Sequence, residues 1–357
     1  MKHAALLAPL FLAAFAGGPV DAGAEPPLTF NARFTFYGDN TEFNNRFRDG
    51  DTLLGVWGRL FLDTNLNERV TFRMGVFGNQ RFGSMDAFEI VRPIFALVLR
   101  NRTSRFVVGS LETLEFDAGT GPDRATPHGL LPPLQLETLS FTRPYETGFQ
   151  WTVRSTRLQQ ETWINWQRLN TPAQRELLDA GVAGRVALRT HVALGYQWHI
   201  VHHGGQQFHS GPVSDSFIGG PGIIIEPRLQ SLDRARIEVY GLLSRDVRDR
   251  ANASSAMNGE AVFARVSGER NGWRGHVIVW RACDVQKEEG DPNYAVAQRD
   301  GTRFPATRDY SEVGLTKLFK PADEVIVEAS ARAYRVEGEY DYSYRILAKV
   351  NLKFTVR

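Results

Sequence analysis

The sequence predicts an all-β protein, a transmembrane antiparallel up-and-down β-barrel of 16 or 18 strands. Three observations lead to this prediction. Apolar and polar residues alternate through nearly the whole chain, the last alternating segment is about fifteen residues long, and long and short connections alternate from both ends. Soluble β-sandwiches have no reason to combine these three features.

The first 24 residues predict export from the cytoplasm. Met1-Lys2-His3 is a short basic start, residues 4–16 are apolar, and Ala22-Gly23-Ala24 has the small-x-small form of a signal peptidase site. The apolar run is too short to cross a bilayer as a helix. We therefore predict a signal peptide at 1–24 and a single barrel domain at 25–357.

Strand-like alternation begins directly after this segment. Residues 28–37 place Leu28, Phe30, Phe34 and Phe36 on one side and polar residues on the other, a period of two. Segments 54–63 and 70–79 repeat the pattern. Weaker alternation is found at 179–189, 191–201, 235–245, 260–269, 273–283 and 325–336. The segment 171–178 could contain a short helical turn.

The clearest segment lies at the C-terminus, at 340–356. Its apolar face carries Tyr340, Tyr342 and Tyr344 at one end and Phe354 near the other. Aromatic residues at both ends of an apolar band are typical of strands that cross a membrane. This segment therefore favours a membrane barrel over a soluble sheet.

The connections support the same architecture. From the N-terminus they run long at 38–51, short at 63–69, longer at 78–88 and short at 100–104. From the C-terminus they run short at 320–324, long at 284–310, short at 270–272 and longer at 251–259. Alternation of short periplasmic turns with longer extracellular loops is the rule in bacterial barrels, which also have an even number of strands.

Composition excludes several other classes of protein. The chain is 42% hydrophobic and 11% aromatic, which is too apolar for a disordered protein. Its single cysteine, Cys283, rules out an intramolecular disulfide framework. The net charge of +2 argues against nucleic acid as a partner.

The signal peptide, the alternating strands and the C-terminal strand together resemble the bacterial outer-membrane β-barrel proteins. This resemblance implies location in the outer membrane, with outer-membrane lipid and the barrel-assembly machinery as partners. Within the class the chain is most similar to medium-sized channels, either general porins or exopolysaccharide-export porins. The oligomeric state stays open.

The polar faces of the predicted strands carry more positive than negative charge. We predict that they face the lumen and attract anions. The basic candidates are Arg33, Arg59, Arg73, Arg81, Arg185, Arg189, Arg236, Arg332, Arg345, Lys349 and Lys353, against Asp63, Asp179, Glu238, Glu328 and Asp341. The alternative is that these charges pair across strands and have no role in transport.

These features predict a channel for small anionic solutes, without enzymatic activity. One alternative is a secretion porin for an anionic exopolysaccharide, and another is a plugged barrel with a structural, adhesive or enzymatic role. The long segments 112–133, 202–222 and 284–310 could fold into the lumen as constrictions or remain extracellular loops.

No catalytic residue, metal or cofactor is predicted. The histidines His199, His202, His203 and His209 cluster near one strand end, but their spacing matches no known ligand motif. There is no Gly-x-Ser-x-Gly sequence of the kind that presents a nucleophilic serine.

Overall fold

Sixteen antiparallel strands form a closed barrel in the computed structural model, which describes residues 28–42, 45–112, 126–297 and 307–356. Each strand pairs with its neighbours in sequence, and β1 pairs with β16 to close the sheet. This confirms the predicted all-β up-and-down barrel and decides the strand count at 16.

The strands follow chain order. Their bounds are β1 Leu28–Glu42, β2 Asp51–Asn65, β3 Val70–Arg81, β4 Ile90–Arg100, β5 Ser104–Ser110, β6 Thr147–Arg154, β7 Leu158–Arg168, β8 Leu177–Arg189, β9 Val192–His203, β10 Ser214–Ile225, β11 Arg234–Val247, β12 Met257–Arg270, β13 Trp273–Cys283, β14 Thr307–Ala322, β15 Val325–Val336 and β16 Glu339–Val356.

The seam between the first and last strands is fully paired. Leu28 lies opposite Val356, and Glu42 lies opposite Tyr342. Because the strand count is even, both ends of the barrel domain lie on the same side. A closed seam also leaves no unpaired backbone edge in the membrane, where an unpaired amide or carbonyl would be costly.

The connections identify the two ends of the barrel. On the side of the chain ends they are 66–69, 101–103, 155–157, 190–191, 226–233, 271–272 and 323–324. On the other side they are 43–50, 82–89, 111–146, 169–176, 204–213, 248–256, 284–306 and 337–338. The first set is short, except for 226–233, and is therefore the periplasmic set.

The two faces of the wall follow the predicted alternation. On β16 the outward side chains Tyr340, Tyr342 and Tyr344 are more than half exposed at the extracellular end. Phe354 is also half exposed near the periplasmic end and stacks on Phe30 at 6.3 Å between ring centroids. This aromatic pattern agrees with location in the outer membrane.

Little of the chain is helical. A four-residue helix, α1, spans Leu139–Thr142, and 3-10 turns lie at Arg250–Ser255 and Pro292–Tyr294. Within the described residues no helix is both long and apolar enough to cross a membrane. Residues 171–178 form no helical turn, since Thr171 and Gln174 pair as a β-bridge. The predicted signal peptide at 1–24 lies outside the described residues and stays a prediction, as does the domain boundary at 25.

Candidate functional site

Two extracellular connections fold into the lumen and pack there against each other and against the barrel wall. The first lumen segment is 126–146 and the second is 284–297. Leu130, Leu131 and Leu134 of the first segment are at most 2% exposed. They form one core with Tyr294 of the second segment and with wall residues such as Trp280. Backbone hydrogen bonds join the two segments, from Leu136 to Glu289 at 2.7 Å and from Asp291 to Pro132 at 3.0 Å.

This packing decides between the two interpretations of the long segments. Residues 126–133 and 284–297 lie inside the barrel, as the constriction interpretation predicted. The segment 202–222 instead contains the end of β9, an extracellular turn at 204–213 and most of β10. A lumen filled in this way fits the plugged-barrel alternative better than an open pore.

Most of the predicted lumen cations form ion pairs. Seven of them contact a carboxylate: Arg73, Arg81, Arg185, Arg236, Arg332, Arg345 and Lys349. Arg59 donates hydrogen bonds to the carbonyl oxygens of Leu111 and Pro144. Arg59, Arg73, Arg332 and Arg345 contact oxygen atoms of the connection 111–146. Arg73, Arg345 and Lys349 pair with carboxylates on neighbouring strands.

Three predicted cations remain: Arg33, Arg189 and Lys353. The guanidinium of Arg33 lies 5.3 Å from the ring centroid of Phe61, a cation-π contact. Arg189 and Lys353 are exposed at the periplasmic ends of β8 and β16. The anion path assigned to all eleven residues depended on the channel prediction, which is corrected below.

A buried chain of charges fixes the first lumen segment to the wall. Glu137 accepts hydrogen bonds from Arg332 at 2.7 Å and from Arg345 at 3.0 Å. Arg345 also pairs with Asp39 on β1, and Arg332 lies 3.7 Å from Glu312 on β14. Burial disfavours ionisation of Glu137, but the two arginines outweigh it and hold its pKa at about 2.

His128 also attaches the first lumen segment to the barrel wall. Its ring is buried and stacks on Trp163 at 3.8 Å between centroids. Its Nδ1 lies 2.6 Å from a Glu161 oxygen and its Nε2 lies 2.8 Å from a Glu146 oxygen. Burial disfavours its charge, but the two carboxylates prevail and raise the pKa of His128 to about 10. Both ring nitrogens are occupied, so this imidazolium is structural.

A different cluster lies on the outer surface at the extracellular end of β9 and β10. His202 ends the outward face of β9, and Asp215 lies opposite it on the outward face of β10. His202 Nδ1 lies 2.7 Å from Asp215 Oδ1. Arg250 donates to both Asp215 oxygens, and its Nη2 to Oδ1 bond is 2.9 Å. Asp215 therefore holds the imidazole, and Arg250 holds Asp215.

The second ring nitrogen of His202, Nε2, lies beside Gly204 and Glu176. A Cβ added to Gly204 would lie 2.6 Å from His202 Nε2 and 3.2 Å from a Glu176 oxygen. The other Glu176 oxygen accepts a hydrogen bond from Trp166 Nε1 at 3.0 Å. We call Glu176, His202, Asp215 and Arg250 the rim cluster.

The surface below the rim cluster is apolar. The outward face of β9 carries Leu194, Tyr196, Trp198 and Ile200 before it reaches His202. Leu194 and Trp198 are both more than a third exposed. His202 thus lies where the lipid-facing surface ends, next to aromatic side chains of the kind found at membrane interfaces.

Alternation separates the histidines that cluster in the sequence. His199 is buried in the lumen and His203 contacts Glu288 of the second lumen segment, whereas His202 faces outward. His209 contacts the carbonyl oxygen of Thr171. Sequence analysis named His202 but missed Asp215, its partner across the turn at 204–213. The register of the β9–β10 hairpin could have identified Asp215 as the partner of His202.

Comparisons with known proteins add an independent finding. A model of the lipid A 3'-O-deacylase-type family matches residues 20–357, which is nearly the whole chain. No curated protein gives a match.

Solved structures show the same fold. OmpTΔL8, a loop-deletion mutant of an outer-membrane protein of Vibrio cholerae, has a TM-score of 0.53 and 11% identity, and the match covers 93% of this chain and 100% of that one. OccK11 (OpdR) of Pseudomonas aeruginosa has a TM-score of 0.53 and 12% identity, covering 94% and 99%. At this identity the likeness concerns the porin-like fold alone.

The family match corrects the functional predictions. The anion-selective channel and the prediction of no enzymatic activity are wrong, because the matching family consists of outer-membrane hydrolases that act on lipid A. The similarity to exopolysaccharide-export porins is likewise unsupported. The plugged barrel with an enzymatic role, kept as an alternative, agrees better with the match. Outer-membrane location is confirmed by the porin-like barrel.

Proposed function

Because the chain belongs to the lipid A 3'-O-deacylase-type family, we propose that it hydrolyses an acyl ester of lipid A, with the rim cluster as its active site. The observation that carries this proposal is the His202–Asp215 contact on the outward face of the barrel. A lipid with its acyl chains in the bilayer reaches this face directly, whereas the lumen is occupied by the two lumen segments.

His202 is the described histidine that meets the requirements of a general base at this surface. Its side chain is 19% exposed, its Nδ1 is oriented by a carboxylate, and it lies at the extracellular end. The other described histidines lie in the lumen, in a loop contact or at a periplasmic turn: His128, His199, His203, His276, His209 and His191.

The chemistry follows from this geometry. His202 Nε2 takes a proton from a water molecule as the water oxygen attacks the ester carbonyl carbon. Asp215 accepts the Nδ1 hydrogen bond and stabilises the imidazolium that forms. When the carbon–oxygen ester bond breaks, the imidazolium returns the proton to the sugar oxygen. The products are a free fatty acid and a lipid A molecule with one acyl chain fewer.

Comparison of two substrates tests the proposed activity. The refolded protein is incubated in detergent micelles with purified lipid A or with a phospholipid of equal acyl-chain length, and released fatty acid is quantified. We expect release from lipid A at least tenfold faster than from the phospholipid. Equal rates would contradict lipid A specificity, and no release from either would contradict the hydrolase.

A methyl group at Gly204 should obstruct the active site. Since the added Cβ of Gly204→Ala would lie 2.6 Å from His202 Nε2, the imidazole must move away from its position. We expect kcat/KM for fatty-acid release to fall roughly 10–100-fold, as for a catalytic group misplaced by about 1 Å. The matched control is Gly241→Ala, whose Cβ would meet nothing within 4 Å. Wild-type activity in Gly204→Ala would place the reacting groups elsewhere.

A further inference from the structure

Three side chains converge inside the lumen at a place that the proposed reaction does not use. They are Asp179 of β8, His199 of β9 and Glu289 of the second lumen segment, which we call the lumen triad. One ligand atom from each lies within 4.8 Å of the other two. His199 Nε2 is 3.4 Å from Asp179 Oδ2 and 3.8 Å from Glu289 Oε2.

We propose that the lumen triad binds a divalent transition-metal ion such as Zn²⁺. One imidazole nitrogen and two carboxylate oxygens are ligands that zinc accepts at about 2.0–2.2 Å. Ligand atoms that surround such an ion lie about 3–4 Å from one another, and His199 Nε2 lies at such a distance from both carboxylate oxygens. The imidazole favours a transition metal over Ca²⁺ or Mg²⁺, which prefer oxygen ligands.

The hydrogen bond on the other ring nitrogen of His199 supports its role as a metal ligand. Its Nδ1 lies 3.1 Å from the carbonyl oxygen of Leu134. A carbonyl can only accept, so Nδ1 carries the proton and the lone pair of a neutral imidazole lies on Nε2. An imidazolium bound directly to Asp179 would be expected at about 2.7–2.9 Å, shorter than the observed 3.4 Å.

The two carboxylates are oriented in the same way. Glu289 Oε1 accepts from Arg143 at 2.7 Å and from Gln167 at 2.7 Å. Its Oε2 is buried without a hydrogen-bond partner, and the side chain is 9% exposed. Asp179 Oδ1 accepts from Asn165 at 2.7 Å and from Gln167 at 2.9 Å, and its Oδ2 accepts from Trp163 Nε1 at 3.0 Å. Outer hydrogen bonds that fix each ligand are characteristic of metal sites.

Bound metal would attach the second lumen segment to the wall, since Glu289 lies on that segment and the other two ligands lie on strands. The Lys287 ammonium lies close enough to Glu289 and Asp179 to interact with both electrostatically. Its Nζ is buried and has no hydrogen-bond partner within the described residues. An ammonium there repels a cation, so replacing Lys287 should tighten metal binding. The inference does not depend on the proposed reaction.

Metal content and thermal stability test the inference. The refolded full chain is stripped with a chelator, equilibrated with Zn²⁺, separated from free metal and analysed for zinc per chain. We expect about one tightly bound Zn²⁺ that excess Mg²⁺ or Ca²⁺ does not displace, together with a higher Tm. In Glu289→Gln the affinity should fall at least tenfold. Its matched control is Glu288→Gln, which removes the adjacent carboxylate that pairs with His203 and should bind zinc like the wild type.

Two results would overturn the inference: no tight zinc in the wild type, or equal zinc affinity in the wild type and Glu289→Gln. Should Glu289→Gln fail to refold, Lys287→Met provides a second comparison. Tighter zinc binding in that variant supports the lumen triad, and unchanged or weaker binding contradicts it.

Discussion

Replacing His202 with glutamine should abolish most of the hydrolase activity. Glutamine fills a similar volume but cannot accept a proton from water, and a general base contributes about 10²–10⁴-fold to the rate. We therefore expect kcat for fatty-acid release to fall by about 10²–10⁴-fold. The barrel should still fold, because the His202 side chain is 19% exposed on the outer rim and outside the lumen core.

The neighbouring histidine is the matched control. His203 is next in sequence but faces the lumen side, where its Nε2 contacts Glu288 at 2.6 Å. His203→Gln should keep activity within about threefold of the wild type. If His202→Gln retained wild-type activity, or if both variants lost activity equally, the rim cluster would not be the active site.

Replacing Glu137 with glutamine should have the largest effect on stability. Removing this charge leaves Arg332 and Arg345 near each other without the carboxylate between them. Breaking a buried ion pair costs about 3–5 kcal/mol. Since Arg345 keeps Asp39 and Arg332 keeps Glu312, we expect the lower end, about 3 kcal/mol in the free energy of unfolding in denaturant.

An exposed ion pair provides the control for this variant. Glu89 contacts Arg81, whose side chain is 48% exposed, so Glu89→Gln should cost less than about 1 kcal/mol. A Glu137→Gln variant as stable as Glu89→Gln would show that the charge chain does not hold the first lumen segment.

The stability difference between the wild type and Glu137→Gln should decrease at low pH. The pKa of Glu137 is lowered from 4.5 to about 2 in the folded protein because Arg332 and Arg345 favour its charged form. Stability from a lowered pKa is fully present above about pH 4.5 and is lost as the pH falls toward 2. The stability difference between wild type and Glu137→Gln should therefore shrink over that interval and stay constant above it.

The wall of the barrel could be predicted from the sequence because its physics is local. Every second residue of a strand faces lipid, so segments such as 340–356 show their limits and their faces in the sequence. Predicted strands 273–283 and 325–336 agree with the observed bounds Trp273–Cys283 and Val325–Val336. The closed barrel was predicted from the alternating connection lengths together with the rule that bacterial barrels have an even number of strands.

The lumen could not be predicted in this way, because no periodicity says whether a loop folds inward. The carboxylates Glu112 and Glu137 enter the barrel from a connection, and they neutralise arginines that are in excess over carboxylates on the strand faces. One signal was available in Leu130, Leu131 and Leu134, since three leucines in a connection are unusual for a solvated loop.

The rim cluster was partly visible in the sequence. His202 belonged to the noted histidine cluster, but its role depends on Asp215, which is adjacent only through the register of β9 and β10. Once the register of this antiparallel hairpin is known, for example from His203 opposite Ser214, it follows that His202 lies opposite Asp215. Glu289 of the lumen triad could not be found in this way, because it arrives from a distant lumen segment.

The mass of lipid A after incubation with the protein tests the central claim most directly. Purified lipid A is incubated with folded wild-type protein and examined by mass spectrometry. We predict a product lighter by one ester-linked acyl chain, with the matching free fatty acid in equal amount, and no such product with His202→Gln. Lipid A of unchanged mass in the presence of folded wild-type protein would contradict the proposed function.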